Sequence, residues 1–173
     1  IEGLESLRAV AAIAPGVLGQ TGVETGEIIK AIVERIHPAA VIAVDALASR
    51  RTSRLGNTIQ IADTGINPGS GIGNMRFAIN QETLGVPVIS IGVPTVVDAA
   101  TLAIDVLEGA GIETPPKDEE RIRASIDPDG VSLFVTPRMI DLIVEHAASL
   151  AALAINRALH PGVSVEDINK LVS

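Results

Sequence analysis

Apolar positions along this chain fall into two patterns, short unbroken runs and stripes spaced three and four residues apart. The first run, Arg8 to Ala14, closes at Pro15-Gly16 and predicts a buried strand followed by a turn. A stripe comes next: Ile28, Ile29, Ile32, Val33 and Ile36 share one helical face, opened by the capping-box pattern Thr21-x-x-Glu24 and closed at His37-Pro38. Ala39 to Val44 is a second unbroken run rich in β-branched residues. Strand, helix, strand in that order predicts a parallel crossover and an α/β fold.

Asn57 to Ile61 alternates polar and apolar residues, as a half-exposed strand at an edge or in antiparallel pairing does. Residues 64–74 hold four glycines and a proline in eleven positions, too many for helix or strand. Val86 to Val93 predicts another buried strand. Pro94 to Asp98 then opens a helix with Ala99, Leu102, Ala103, Val106 and Leu107 on one face, stopped by Gly109 and Gly111. Thr114 to Gly130 is polar and charge-dense and reads as a surface excursion or a short helix rather than a domain boundary. Thr136-Pro137 supplies a cap and a first-turn proline for a long alanine-rich helix to about Leu159, whose alanines imply close backbone packing. A last short helix starts at the capping box Ser164-x-x-Asp167. The whole reads as one α/β domain over 1–173, with C-terminal helices from 137 onward.

Composition narrows the function classes. The 173 residues are 47% apolar, enough for a sizeable core, and no stretch approaches the roughly 18 uninterrupted apolar residues of a membrane span. With no cysteine, thiolate chemistry and disulfides are excluded. Thirteen basic against 21 acidic residues give a net charge of −8, and only Arg50, Arg51 and Arg54 cluster. Two phenylalanines are the only aromatic residues of the Phe, Trp and Tyr set, so neither phosphate neutralisation nor base stacking is provided for, and no nucleic-acid or membrane partner is expected. The chain begins at Ile1 rather than Met and soon enters an apolar run, which reads as a fragment or a processed chain.

Chemistry centres on carboxylates near strand ends. Asp45 follows the run V-I-A-V where a strand gives way to a turn or short helix, a position that faces the ligand crevice in open α/β sheets; the alternative is a helix cap. Asp63, Thr64 and Asp98 also stand at strand-to-loop junctions. Two such carboxylates within a few ångströms share a proton and supply a base and an acid for a bound water, whereas capping is the bland role for Asp63 and Asp98. Gly69, Ser70 and Gly71 lie in the glycine loop, which lacks the Lys-Ser/Thr ending of a phosphate loop and suits a structural or substrate-covering role. His37 and His160 precede prolines at helix ends, and His146 lies on an apolar stripe, so capping and core roles are expected for them and no metal site or cofactor follows. No serine sits in the strained elbow of a serine hydrolase.

Three segments together resemble the spore germination protease family: A-P-G-V-L-G-Q-T-G-V-E-T from Ala14, V-I-A-V-D-A-L-A-S-R from Val41, and T-I-Q-I-A-D-T-G-I-N-P-G-S-G-I-G-N from Thr58. T-L-G-V-P-V-I-S-I-G-V-P-T-V-V-D-A from Thr83 and F-V-T-P from Phe134 continue the likeness. The resemblance implies a three-layer α/β sandwich with a mixed, mostly parallel sheet, like that of the hydrogenase maturation proteases. It implies an aspartic-type endopeptidase made as a zymogen, assembled as a homotetramer, located in the cytoplasm of the spore interior, and acting on small acid-soluble spore proteins. One of the family's two essential aspartates maps onto Asp45. The other belongs to a segment preceding the Ala14 motif, so the resemblance leaves this chain with one of the pair and without its N-terminal part. Two alternatives stand beside it: a metal-recognising maturation protease, and a non-catalytic assembly fragment.

Overall fold

A computed structural model describes residues 7–16, 23–67, 77–128, 130 and 133–172. The elements are α1 (Thr25–Ile36), β1 (Val41–Ser49), a 3-10 turn (Thr52–Arg54), β2 (Gln60–Ala62), the single-turn α2 (Gln81–Leu84), β3 (Val88–Asp98), α3 (Ala99–Gly109), α4 (Pro116–Ile126), β4 (Phe134–Val135), α5 (Ile140–Leu159) and α6 (Val165–Val172). They form an open mixed sheet with flanking helices, consistent with an α/β fold.

β3 is the spine of the sheet. β1 pairs with it in parallel from Val41↔Val88 to Ser49↔Val97, and β2 pairs antiparallel on its other side through Gln60↔Gly92, Ile61↔Ile91 and Ala62↔Ser90. The short β4 adds Val97↔Val135 and Asp98↔Phe134. The sheet is therefore mixed, with one parallel pairing and two antiparallel ones. The strand expected to stop at Val93 runs on to Asp98, because Thr95, Val96 and Val97 are good strand formers and β1 extends alongside. Pro94, which cannot donate to a ladder, is accommodated where the register slips between Leu47 and Ala48.

Residues paired across a sheet point to the same face. One face carries Val41, Ala43, Asp45 and Leu47 from β1, Val88, Ser90 and Gly92 from β3, and Gln60 and Ala62 from β2. Its lower half is covered by a core of Val33, Ile79, Leu84 and Val88, packed with Ile29, Val41, Ala43, Ile66, Phe77 and Val86. The opposite face carries Ile42, Val44, Ile89, Ile91, Val93 and Ile61, of which Val44 is 53% and Ile61 70% exposed. α3 and α5 both pack against β3; α4 packs on α3 and α6 on α5.

Several expectations are corrected. Residues 8–14 form no strand and are mostly exposed, Val10 by 56% and Ile13 by 50%. An apolar run becomes a buried strand only where a sheet edge receives it, and no described residue pairs with the outer edge of β1. α1 is capped at Glu24 with no side-chain cap bond, while Thr25 Oγ1 donates to Gly16 O at 3.2 Å; Thr21 lies outside the described residues. α3 starts after Asp98 rather than at Pro94, and it buries Ala100 and Ile104 while leaving Val106 63% exposed, so its inner face is rotated from the predicted one. Thr136 does not cap α5, which starts at Ile140; its hydroxyl donates instead to Thr95 O at 2.9 Å.

α5 also departs from the close packing that its alanines suggested. Ala151 is its one buried described residue, and Leu142, Val144 and Leu150 are 40–56% exposed. By length and composition alone it is long and apolar enough to cross a membrane, although the sequence holds no uninterrupted span. It packs on β3 and α6. The expected capping box is found in part: Ser164 Oγ accepts from Asp167 N at 3.1 Å and donates to Asp167 Oδ2 at 2.7 Å, so Ser164 caps α6 through its side chain.

Candidate functional site around Asp45

Asp45 stands in the middle of β1, not at its end. A-L-A-S continues the ladder with β3, so the carboxylate projects from a nine-residue strand and caps no helix. Its Oδ1 accepts the N–H of Ala46 at 2.9 Å. Burial pushes its pKa above the usual 3.8, partly offset by that hydrogen bond.

Across the sheet, Asp45, Gly92 and Gln60 lie in one row on the same face. The centre of the row has no side chain of its own, and Leu47 lies over it, so closely that a Cβ on Gly92 would collide with the leucine side chain. Asp45 and Gln60 thus flank a strip two strand spacings wide, roughly 10 Å. One row below, Ser90 is buried and its hydroxyl donates to Ala62 O at 3.1 Å, tying β2 to β3.

Beyond Asp45 the chain leaves the sheet through a pinned loop. Ser49 Oγ accepts from Arg51 N at 3.3 Å and donates to Arg51 O at 2.5 Å. Thr52 N and Oγ1 both donate to Asp105 Oδ2 of α3, at 2.6 and 2.8 Å. Arg51 pairs with Glu108 at 2.7 Å and with Asp105 at 3.5 Å. Desolvation pushes Asp105 upward, but the Thr52 donors and Arg51 together hold it below the usual carboxylate value. Gly56 then meets β3, donating to Pro94 O at 2.8 Å; its φ of +67° favours glycine, and a Cβ there would lie 2.9 Å from the end of the Ile143 side chain.

The other candidate carboxylates do not join Asp45. Asp98 lies six positions up β3 from Gly92, roughly 20 Å away, where it caps α3 through Thr101 N at 3.0 Å and pairs with Arg123 at 3.0 Å. Asp63, exposed in the bend after β2, lies about three rows down and two strands across, roughly 14 Å away. Thr64 is exposed beside it. Gly69, Ser70 and Gly71 lie outside the described residues. The base of their loop is closed by Ile66 and Ile79, which exchange backbone bonds of 2.9 and 2.8 Å, and it packs into the core on the face of Asp45.

Other features fall elsewhere. Concavities of about 260 Å³ beside His37 and Leu84 and about 660 Å³ beside Glu113 and Thr114 are not lined by Asp45. His37 ends α1 in a left-handed conformation, His160 Nδ1 accepts from Arg8 N at 3.3 Å, and His146 is exposed rather than on a buried stripe. No group of three His, Asp or Glu able to hold a metal occurs among the described residues. Gln60, Gly92, Asp105 and Thr52 were not singled out from the sequence; the polar phase of N-T-I-Q-I is the one signal that pointed to Gln60.

The model of the germination protease family matches residues 2–110, a span that includes Asp45, the pinned loop and Asp105. The chain belongs to the germination protease family. A relative from Clostridium perfringens named "Germination protease" is 49% identical over 187 residues, covering 98% of this chain and 58% of its own length. Relatives of the same name from Clostridium acetobutylicum and Bacillus pumilus are 45% and 38% identical, covering 98% and 95% of this chain and 57% of their own lengths. The chain thus spans under three fifths of these germination proteases.

Proposed function

We propose that this chain carries the Asp45 half of an aspartic-type endopeptidase that degrades small acid-soluble spore proteins in the spore interior during germination. The observation that carries the reading is Asp45 itself, a half-buried carboxylate with a raised pKa, held mid-strand in the ladder with β3 and within the stretch the family model covers. A carboxylate poised in this way takes a proton from water more readily than an ordinary exposed one. Peptide hydrolysis also requires an acid for the leaving nitrogen. Neither Asp63 nor Asp98 is within reach of Asp45, and the family resemblance assigns the second carboxylate to a segment preceding the Ala14 motif, for which the greater length of the relatives leaves room. Assembly as a homotetramer, synthesis as a zymogen and the three-layer arrangement of the maturation proteases belong to the same proposal.

Two assays test it. Asp45→Asn in the full-length enzyme is expected to abolish cleavage of a small acid-soluble spore protein with the fold retained; activity within a few-fold of the parent would remove Asp45 from the mechanism. The 173-residue chain alone is expected to cleave nothing. Specific cleavage by it would place both acid and base within these residues.

A further inference from the structure

Asp45 has a polar companion in its own row of the sheet. Gly92 of β3 pairs with Asp45 on one side and with Gln60 on the other, so both side chains rise from the same face, two strand spacings or roughly 10 Å apart. Between them Leu47 is laid over Gly92. The nearest other polar group on this face, the Ser90 hydroxyl, is taken up by Ala62 O. The Gln60 side chain is exposed and makes no hydrogen bond among the described residues.

The register that sets this row is held. Gln60, Ile61 and Ala62 pair with Gly92, Ile91 and Ser90, and Ser90 Oγ adds its bond to Ala62 O at 3.1 Å. A slip of β2 by one residue would turn Gln60 to the other face and bring Ile61 into the row in its place.

Hydrolysis at Asp45 calls for a particular kind of group opposite. A water held by Asp45 at about 3 Å attacks a carbonyl carbon about 3 Å further on, which puts the reacting bond over Gly92 and Leu47. As the water adds, negative charge builds on the carbonyl oxygen, and the group facing that oxygen has to donate. Gln60 stands across the strip with N–H donors on a long, neutral side chain. Neutrality suits the carboxylate opposite, because a lysine or arginine there would pull the Asp45 pKa down, whereas burial raises it.

We propose that Gln60 is a substrate-binding residue of the protease, its side-chain amide donating to the carbonyl oxygen of the peptide bond that lies between it and Asp45. This rests on the reading of Asp45 as the place of cleavage. Because the contact is to the main chain and strengthens as charge builds, it acts on the rate of cleavage rather than on the choice of sequence.

The test is a set of variants in the full-length enzyme, assayed on a small acid-soluble spore protein. Gln60→Met is close in shape and has no donor, and its kcat is expected to fall about a hundredfold with KM within about threefold of the parent. Its melting temperature and pH profile should match the parent's, since the side chain it replaces is exposed and unpartnered. Gln60→Asn, which keeps the donors one methylene back, should lose less, and Asn57→Ala, an exposed amide outside the row, should lose nothing. A Gln60→Met enzyme with kcat within about threefold of the parent overturns the proposal, as does a loss confined to KM. So does a loss that accompanies a lowered melting temperature, or Gln60→Asn as impaired as Gln60→Met. An Asp45→Asn enzyme that stays active removes the reading of Asp45 and this role with it, whereas an inactive Asp45→Asn beside an unimpaired Gln60→Met removes only the role of Gln60.

Discussion

Asp45 occupies a strand whose neighbours on the same face are Ala43 and Leu47, so its charge is set among apolar side chains with one backbone donor to offset the loss of water. The folded state holds this proton more tightly than the unfolded chain does. That preference costs nothing below the unfolded value of 3.8, and stability falls as pH rises from there through the folded value. Asp45→Asn is therefore expected to be more stable than the parent at pH 7, with the two converging toward pH 4 in urea titrations. An unchanged midpoint at pH 7 would show that burial is not what perturbs the group. Gly92 is constrained by close approach rather than by its backbone angle. Gly92→Ala should cost about 1–3 kcal/mol, and much of that should be recovered in a Leu47→Ala background, because the collision is with that one side chain.

At the scale of elements, two carboxylates join helices to strands. Asp98 caps α3 and also receives Arg123 from α4, so a helix without a single buried residue is tied to the end of β3. Asp98→Ala is expected to destabilise the fold by about 1–2 kcal/mol and to loosen α4 first, as hydrogen exchange would report. Asp105 does the corresponding work for the loop after β1. Its folded pKa is depressed, so its contribution is present above 3.8 and lost as pH falls through the folded value. Asp105→Ala should raise amide exchange at Thr52 about tenfold while exchange in β1 barely changes. Equal acceleration in both would mean that the lash holds the strand as well as the loop.

For the whole molecule, the notable quantity is uncovered apolar surface. Val44, Ile89 and Ile61 on one face of the sheet, Val10 and Ile13 in the irregular segment, and Leu142 and Leu150 on α5 are all 40–70% exposed. Patches of this kind bind partners or hydrophobic dye. The 173-residue chain is expected to bind such a dye strongly and to aggregate more readily than the full-length enzyme, and Val44→Thr with Ile61→Lys should lower dye binding without lowering the melting temperature. Dye binding no greater than that of the full-length enzyme would mean that the exposed face is not accessible in solution.

Period and composition alone determined much of this protein. The stripe ending at Ile36, the apolar run before Asp45, an edge or antiparallel strand read over Asn57 to Ile61 and found at Gln60–Ala62, and the Ser164 cap were legible, because local spacing and capping chemistry act over a few residues. The family motifs drew attention to Asp45. The tertiary structure decided the rest. Whether Arg8 to Ala14 becomes a strand depends on a neighbour that local sequence does not contain, and whether β3 ends at Val93 or Asp98 depends on how far β1 runs beside it. That Asp63 and Asp98 stay away from Asp45 follows from the register of the strands, which pairing alone sets. The clamp of Arg51 and Thr52 on Asp105 spans more than fifty residues of chain; it exists only because α3 packs back against the loop that leaves β1.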